Sequence, residues 1–342
     1  MDRLATAIEK MHSPCVVGLD PRPEVIPRQV LEDVSSAESL AEAYADFSRV
    51  IIDAVSDIVP AVKPQIAMYE ALGPAGISAY CRTTRYAQER GLYVIGDIKR
   101  GDIGSTAQAY AAHLSGIPGI SGQGADVWHE DAVTVNPYLG IDGIRPFIEA
   151  AERNDKDIFV LCRTSNPSSA QLQDLDIKDA KEAAGTADAR IVQGPATVGM
   201  YVAGLIAQWG EEHCGASGYS RVGAVVGATH IQDAAGFRSR MPHTMFLVPG
   251  YGVQGGTAAD AAALFNADGT GAVINSSRGI IAAWKKDPQY SPSLTRGQAL
   301  DCAAASAHRA AAAMRADIIG SLKPGSTEAH TAVSHNHQKK GS

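Results

Sequence analysis

Apolar residues along this chain follow two alternating patterns. Short runs (Cys15–Leu19, Ala61–Ile66, Tyr93–Lys99, Ala132–Asn136, Ile158–Cys162, Val222–Val226, Met245–Val248 and Gly271–Asn275) are rich in β-branched residues and apolar at most positions. Runs of this kind fit the strands of a parallel sheet buried on both faces. Between them lie stretches with an apolar stripe on one side, such as Ser39–Ile58, Ile141–Arg153 and Pro195–Trp209. These predict amphipathic helices, and Pro195 suits a first helical position. Strands alternating with helices eight times over predict the α/β class and a (β/α)8 TIM barrel. A doubly wound open sheet is the alternative. The even spacing of the units, and the want of a glycine-rich loop after the first strand, count against it.

The rhythm breaks twice. Gln171–Val192 is polar, charged and alanine-rich, and predicts an exposed insertion after the fifth strand. Lys323–Ser342 has almost no apolar residues, so it cannot bury enough surface to order itself. Its His330, His335 and His337 fit a solvated tail better than a metal site. One barrel domain over residues 1–320, followed by a disordered tail over 321–342, is the expected organisation.

Composition narrows the function. The chain of 342 residues is 45% hydrophobic, enough for one barrel-sized domain or two smaller ones. A net charge of −7 and no basic stripe with interleaved aromatics speak against nucleic acid as a partner. The five cysteines are scattered and odd in number, which predicts reduced thiols in a cytoplasmic protein. Met1-Asp2-Arg3-Leu4 leads straight into a helical pattern with no signal-like apolar stretch. No run is long enough to span a membrane, so no membrane partner is expected.

The most informative stretch is Asp97-Ile98-Lys99-Arg100-Gly101-Asp102-Ile103-Gly104-Ser105-Thr106, directly after the third strand run. Residues two apart on a strand share a face, so Asp97 and Lys99 are expected to project together, with Asp102 at the bend beyond. Charges gathered at a strand end are costly unless they satisfy one another, and such clusters often mark function. A surface ion pair beside a turn is the simpler reading of the Asp97–Lys99 spacing alone.

Other strand ends carry polar groups where a barrel's active site lies. Asp20 could accept hydrogen bonds from a sugar diol, or simply start an Asp-Pro turn. Lys63, inside an apolar run, needs a carboxylate, with Asp97 and Asp20 as candidates. Asn136 either supports the site or forms a turn before Pro137. Thr164-Ser165-Asn166-Pro167 offers hydroxyl and amide groups suited to a polar ring edge. Pro249-Gly250-Tyr251-Gly252-Val253-Gln254-Gly255-Gly256, followed by a helix, and Arg278 at the next strand end predict a phosphate site.

These motifs, in this order from about Cys15 to Ile280, resemble the orotidine 5'-phosphate decarboxylase family, in particular its longer bacterial branch. The resemblance implies cofactor-free conversion of orotidine 5'-phosphate to uridine 5'-phosphate and CO2 in pyrimidine biosynthesis. It implies that Lys99 protonates C6 and that Asp97 lies by the substrate carboxylate and orients Lys99. Asp20 and Lys63 would bind ribose hydroxyls, with Lys63 also pairing Asp97. Ser165 would read the pyrimidine amide edge. Pro249 belongs to the substrate-binding loop, and Gln254 and Arg278 would hold the phosphate. Asp102, Ile103 and Thr106 would reach into a neighbour's site, which implies a homodimer with shared active sites. The chain departs from the usual pattern in carrying Ser277 where glycine is common before the arginine. Two other readings compete: a magnesium-dependent sugar-phosphate decarboxylase of the same superfamily, and a non-catalytic nucleotide-binding barrel.

Overall fold

The computed structural model describes residues 1–117, 125–177, 196–228, 233–252 and 255–322. Eight parallel strands close into a barrel whose order around the ring is their order along the chain. They are β1 (Cys15–Leu19), β2 (Ala61–Pro64), β3 (Tyr93–Arg100) and β4 (Ala132–Val135). After these come β5 (Asp157–Arg163), β6 (Val222–Val226), β7 (Phe246–Val248) and β8 (Ala272–Ser276). The (β/α)8 expectation holds, and the open sheet is excluded because β8 pairs with β1, with Cys15 opposite Ile274.

The main helices are α1 (Asp2–Met11), α2 (Ala37–Val55), α3 (Gly73–Glu89), α4 (Gly104–Tyr110) and α5 (Ile141–Arg153). They continue with α6 (Val198–Gly210), α7 (Ala234–Arg240), α8 (Ala258–Ala262) and α9 (Arg296–Leu322). Differences from the sequence expectations sit at element ends, where side-chain caps decide the boundary. Helix α2 begins two residues before Ser39 because Ser36 and Ser39 form a reciprocal capping box. Strand β2 stops at Pro64 because the Gln65 side chain caps the helix that follows. Helix α6 starts at Val198 under a Thr197 cap, and Pro195 lies outside the described residues. Asp176–Ile177 pairs antiparallel with Ala196–Thr197, so part of the expected insertion is structured; residues 178–195 lie outside the described set. The last helix passes the expected domain end and runs to Leu322, and the tail from 323 is likewise outside it. Cys15, Cys162 and Cys302 are buried free thiols, whereas Cys214 is exposed.

The barrel interior explains where the site must be. Val16, Ala61, Tyr93, Ile95, Ala132, Phe159, Val225, Leu247 and Val273 fill it, joined by Leu4 of α1. One step of two residues further along four of the strands, the same parity becomes polar. Ala61 gives way to Lys63, Ile95 to Asp97, Ala132 to Thr134 and Val273 to Asn275, all buried. The interior is therefore apolar in its middle and polar at the C-terminal mouth, with a second buried polar group, Asp157 paired with the Met1 N-terminus and the Tyr93 hydroxyl, at the opposite end. A larger apolar cluster packs the outer strand faces against the helices.

Strand β3 has an unusual neighbour. Glu130 is fully buried; its carboxylate accepts from the Tyr80 hydroxyl and hydrogen-bonds His113 Nδ1 at 2.7 Å. A Cβ on Gly96 would overlap Glu130 Oε1. Gly96→Ala should therefore displace Glu130 from its partners. We expect a loss of about 1–3 kcal/mol or more, read as a lower midpoint in chemical denaturation; an unchanged midpoint would show that Glu130 yields at no cost.

Candidate active site

At the mouth of the barrel four donors converge on one carboxylate. Asp97 Oδ2 accepts from Lys63 Nζ at 2.5 Å and from Gln65 Nε2 at 2.9 Å. Asp97 Oδ1 accepts from Thr134 Oγ1 at 3.0 Å and from Lys99 Nζ. Thr134 Oγ1 in turn accepts from the Lys99 backbone N–H at 3.0 Å. The Lys63 and Asp97 side chains are each only 7% exposed, whereas Lys99 is 47% exposed. One ammonium is thus locked in the wall, and the other is open to the space above it.

The electrostatics follow from burial and pairing. Burial alone would push the Asp97 carboxyl up, but Lys63 and Lys99 outweigh it and hold it well below the usual carboxylate range. Burial alone would push Lys63 down, but Asp97 and Asp20 outweigh that and hold it above its ordinary value. Both groups are therefore charged at neutral pH.

The expected strand alternation is not what brings Asp97 and Lys99 together. Lys99 has φ +46°, in the left-handed region that a lysine rarely adopts. The pairing of β3 with β4 also shifts register between Gly96 and Arg100. This irregularity turns the Lys99 side chain back over Asp97, and the Lys99–Thr134 hydrogen bond holds it there. A local irregularity of this kind at a strand end is a common way to re-aim a side chain.

A cavity of about 780 Å³ opens above this cluster. Asp20, Lys63, Asp97, Lys99, Ser165, Pro249 and Arg278 all line it, so seven of the residues singled out in the sequence share one wall. Asp20 Oδ1 is buried with no partner among the described residues, which leaves an acceptor to be satisfied. Asp102, Ile103 and Thr106 do not line this chain's own cavity. Asp102 Oδ1 accepts from the Ile103 N–H at 2.8 Å, and Ile103 is 54% exposed. Gln254 lies outside the described residues.

The glycine loop is described on either side of residues 253 and 254, which lie outside the described set. Gly250, Gly252 and Gly255 have positive φ, so the loop does require glycine. Yet the N–H groups of Gly252, Gly255 and Gly256 bond carbonyls within the loop itself. The N-terminus of α8 is closed by a Thr257–Asp260 capping box. Among the described residues of the loop, those three amides are already used, and Arg278 lines the same cavity as Pro249 and Gly250. Asn136 is a turn residue: it is exposed, and its Oδ1 accepts from the Tyr138 N–H.

Sequence reasoning gave no role to Gln65 or Thr134, the other two partners of Asp97, or to Gln173 and Asn275, which also line the cavity. A lone hydroxyl within the apolar run Ala132–Val135 was the available signal for Thr134. Gln173 carried none, because it falls in a polar stretch that reads as surface. Among the described residues, no three His, Cys, Asp or Glu side chains form a group that could hold a metal ion, and no helix is long and apolar enough to cross a membrane.

The fold and site together define a charged cavity at the C-terminal mouth of a TIM barrel, with an arginine just after β8, the place where barrel enzymes carry their active sites. Residues 14–290 match the family model for the orotidine 5'-phosphate decarboxylase / HUMPS family. The orotidine 5'-phosphate decarboxylase of Rhodopirellula baltica is 44% identical over 288 residues, covering 83% of this chain and 89% of that one. That of Clostridium acetobutylicum is 39% identical, covering 84% and 90%. The solved structure of Leishmania donovani OMP decarboxylase superposes with a TM-score of 0.66 at 29% identity, covering 94% and 97%. The chain belongs to the orotidine 5'-phosphate decarboxylase family and is an enzyme, a carboxy-lyase.

The buried pair makes a direct prediction. Asp97→Asn leaves the Lys63 ammonium in the wall without its main counter-charge. We expect about 3–5 kcal/mol of destabilisation at neutral pH, measured by chemical denaturation. Because the folded Asp97 value is depressed, its stabilising contribution is full above the unfolded value of 3.8 and is lost as pH falls below it. The variant should lack that part of the wild-type acid limb. Equal stability of the two proteins at neutral pH would show that Asp97 does not compensate Lys63.

Proposed function

We propose that the chain decarboxylates orotidine 5'-phosphate to uridine 5'-phosphate as a step of pyrimidine biosynthesis, with Lys99 protonating C6. The observation that carries this reading is the division of labour around Asp97: Lys63 is buried against it, while Lys99 is held to it yet open to the cavity. Loss of CO2 leaves an electron pair at C6 in the plane of the ring, where the π system cannot take it up. An ammonium fixed beforehand at that position stabilises the developing charge without reorganising. The C6–H bond then forms from a Lys99 N–H bond, and the neutral amine regains its proton from solvent.

The remaining residues take the roles that the family resemblance implies. Asp20, with its unpaired oxygen, and Lys63 face the ribose. Ser165 reads the pyrimidine amide edge. Pro249, Gln254 and Arg278 serve the phosphate end, where binding energy remote from C6 can be used to close the site. The chemistry calls for no cofactor.

The second part of the proposal is a homodimer with shared sites. Ile103, Tyr138 and Leu139 are 54%, 81% and 46% exposed. Asp102 and Leu139 both approach Gly143 at the start of α5, so they belong to one surface. A charged residue beside an uncovered apolar patch favours docking of a second copy, which would receive Asp102, Ile103 and Thr106.

The test is loss of orotidine 5'-phosphate absorbance, run with and without EDTA. Activity that persists in the chelator supports the proposal; activity abolished by it would favour the magnesium-dependent alternative. In the same assay Lys99→Ala should lose nearly all turnover while still binding uridine 5'-phosphate. Near-normal turnover would remove Lys99 as the proton donor.

Mixed dimers test the shared site. Lys99→Ala and Asp102→Ala subunits should each be inactive alone. Combined, one site of a mixed dimer carries both lesions and the other carries neither, so activity should return. Mixed dimers that form but stay inactive would place Asp102 in its own chain's site.

A further inference from the structure

Arg163, the last residue of β5, is only 1% exposed and is among the largest fully buried side chains of the protein. A buried guanidinium is costly unless its donors are used. Its Nη1 donates to Ser169 Oγ at 2.5 Å, to Gln173 Oε1 at 3.0 Å and to the Thr164 carbonyl at 3.3 Å. Its Nη2 donates to Asp174 Oδ2 at 3.0 Å. Every one of these acceptors belongs to the segment 164–174, which leaves the barrel and runs along the rim of the cavity. The charge is spent on that segment and not on joining strands.

Gln173 is the centre of the arrangement. Its Oε1 also accepts from the Thr164 N–H at 2.9 Å, and its Nε2 donates to Thr164 Oγ1 at 2.8 Å. Thr164 Oγ1 passes its own proton to Asn166 Oδ1 at 2.7 Å. The two neighbours of Ser165 are thus both fixed by side-chain hydrogen bonds. Behind Ser165, a Cβ on Gly227 would meet the Ser165 backbone N and Cα at 3.0 Å, so the residue that follows β6 approaches the loop backbone directly. The Gly227 N–H donates to the Arg163 carbonyl at 2.8 Å.

We propose that Gln173, held by Arg163, is a positioning residue for pyrimidine recognition: it fixes the Thr164–Asn166 turn so that Ser165 meets the polar edge of the base. Thr164, Ser165, Asn166 and Gln173 all line the cavity, and Gln173 reaches it from outside the βα framework. The inference rests on the assignment of Ser165 to the pyrimidine, and its test separates the two.

The experiment titrates uridine 5'-phosphate and ribose 5-phosphate, by calorimetry, into the wild type, Ser165→Ala, Gln173→Leu and the double variant. Gln173→Leu should weaken uridine 5'-phosphate about ten-fold, the scale of a disrupted buried hydrogen-bond pair. Ribose 5-phosphate, which has no base, should bind within about two-fold of wild type. In the double variant the two losses should not add, because a clamp has nothing to position once the Ser165 hydroxyl is gone. Arg163→Lys should reproduce the Gln173→Leu pattern, since one ammonium cannot serve Ser169, Gln173 and Asp174 together. Gln173→Met, of similar length, guards against a simple packing loss. Equal weakening of both ligands, or additive losses, would make Gln173 a structural residue and overturn the proposal. If Ser165→Ala loses base-dependent affinity but Gln173→Leu and Gln173→Met do not, the clamp alone falls. If Ser165→Ala is itself silent, the Ser165 assignment fails, and the clamp with it.

Discussion

A carboxylate almost shut off from water, Asp97, holds two ammonium groups at the mouth of the barrel, and the rest of the site is arranged around it. The carboxylate can stay charged there because Lys63 and Lys99 outweigh its desolvation, and Lys63 can stay charged because Asp97 faces it. Gln65 and Thr134 take up the remaining directions of the carboxylate oxygens. A half-satisfied cluster at this depth would be worse than an apolar one. Its completeness is what allows charge to be stored where a reacting ring can reach it.

The cluster is also asymmetric, and that asymmetry is useful. Lys63 is packed into the wall, whereas Lys99 is tied to the same carboxylate through a backbone in the left-handed region. Holding a lysine in that conformation costs about 1–3 kcal/mol, which the Thr134 contact to its N–H and the ion pair with Asp97 offset. The outcome is a cation whose position is set before any substrate arrives, the condition under which electrostatic stabilisation of a developing charge is most effective.

The two barrel seams with irregular register both lie beside the cavity. One, in β3–β4, re-aims Lys99; the other, in β5–β6 between Leu161 and Arg163, precedes the clamped rim segment that carries Ser165. The other seams are regular in register, including the β1–β2 seam that carries Lys63 and the β8–β1 seam that carries Asn275. Register thus departs from uniformity where Lys99 and the Ser165 segment are placed, whereas Lys63 projects from a strand of regular register.

The amino-acid sequence by itself determined the barrel, because eight apolar runs separated by amphipathic stretches leave few alternatives to a closed parallel sheet. Two runs, Cys15–Leu19 and Val222–Val226, coincide with their strands residue for residue. It also marked much of the cavity wall, since Lys63 inside an apolar run needs a counter-charge and Asp20, Asp97, Lys99 and Arg278 gather at the ends of buried runs, although a turn or a surface ion pair would account for Asp20 or for the Asp97–Lys99 spacing taken singly. Only the tertiary structure decided how those groups meet. Lys99 turns toward Asp97 through a positive φ and a register shift that no residue pattern announces. Thr134 and Gln65 are partners because β2, β3 and β4 lie side by side, and Gln173 is a cavity residue because a buried arginine draws a polar surface-like stretch onto the rim. Periodicity reports which face a residue occupies along its own element. Contacts between elements depend on where neighbouring strands end, and that information exists only once the barrel has closed.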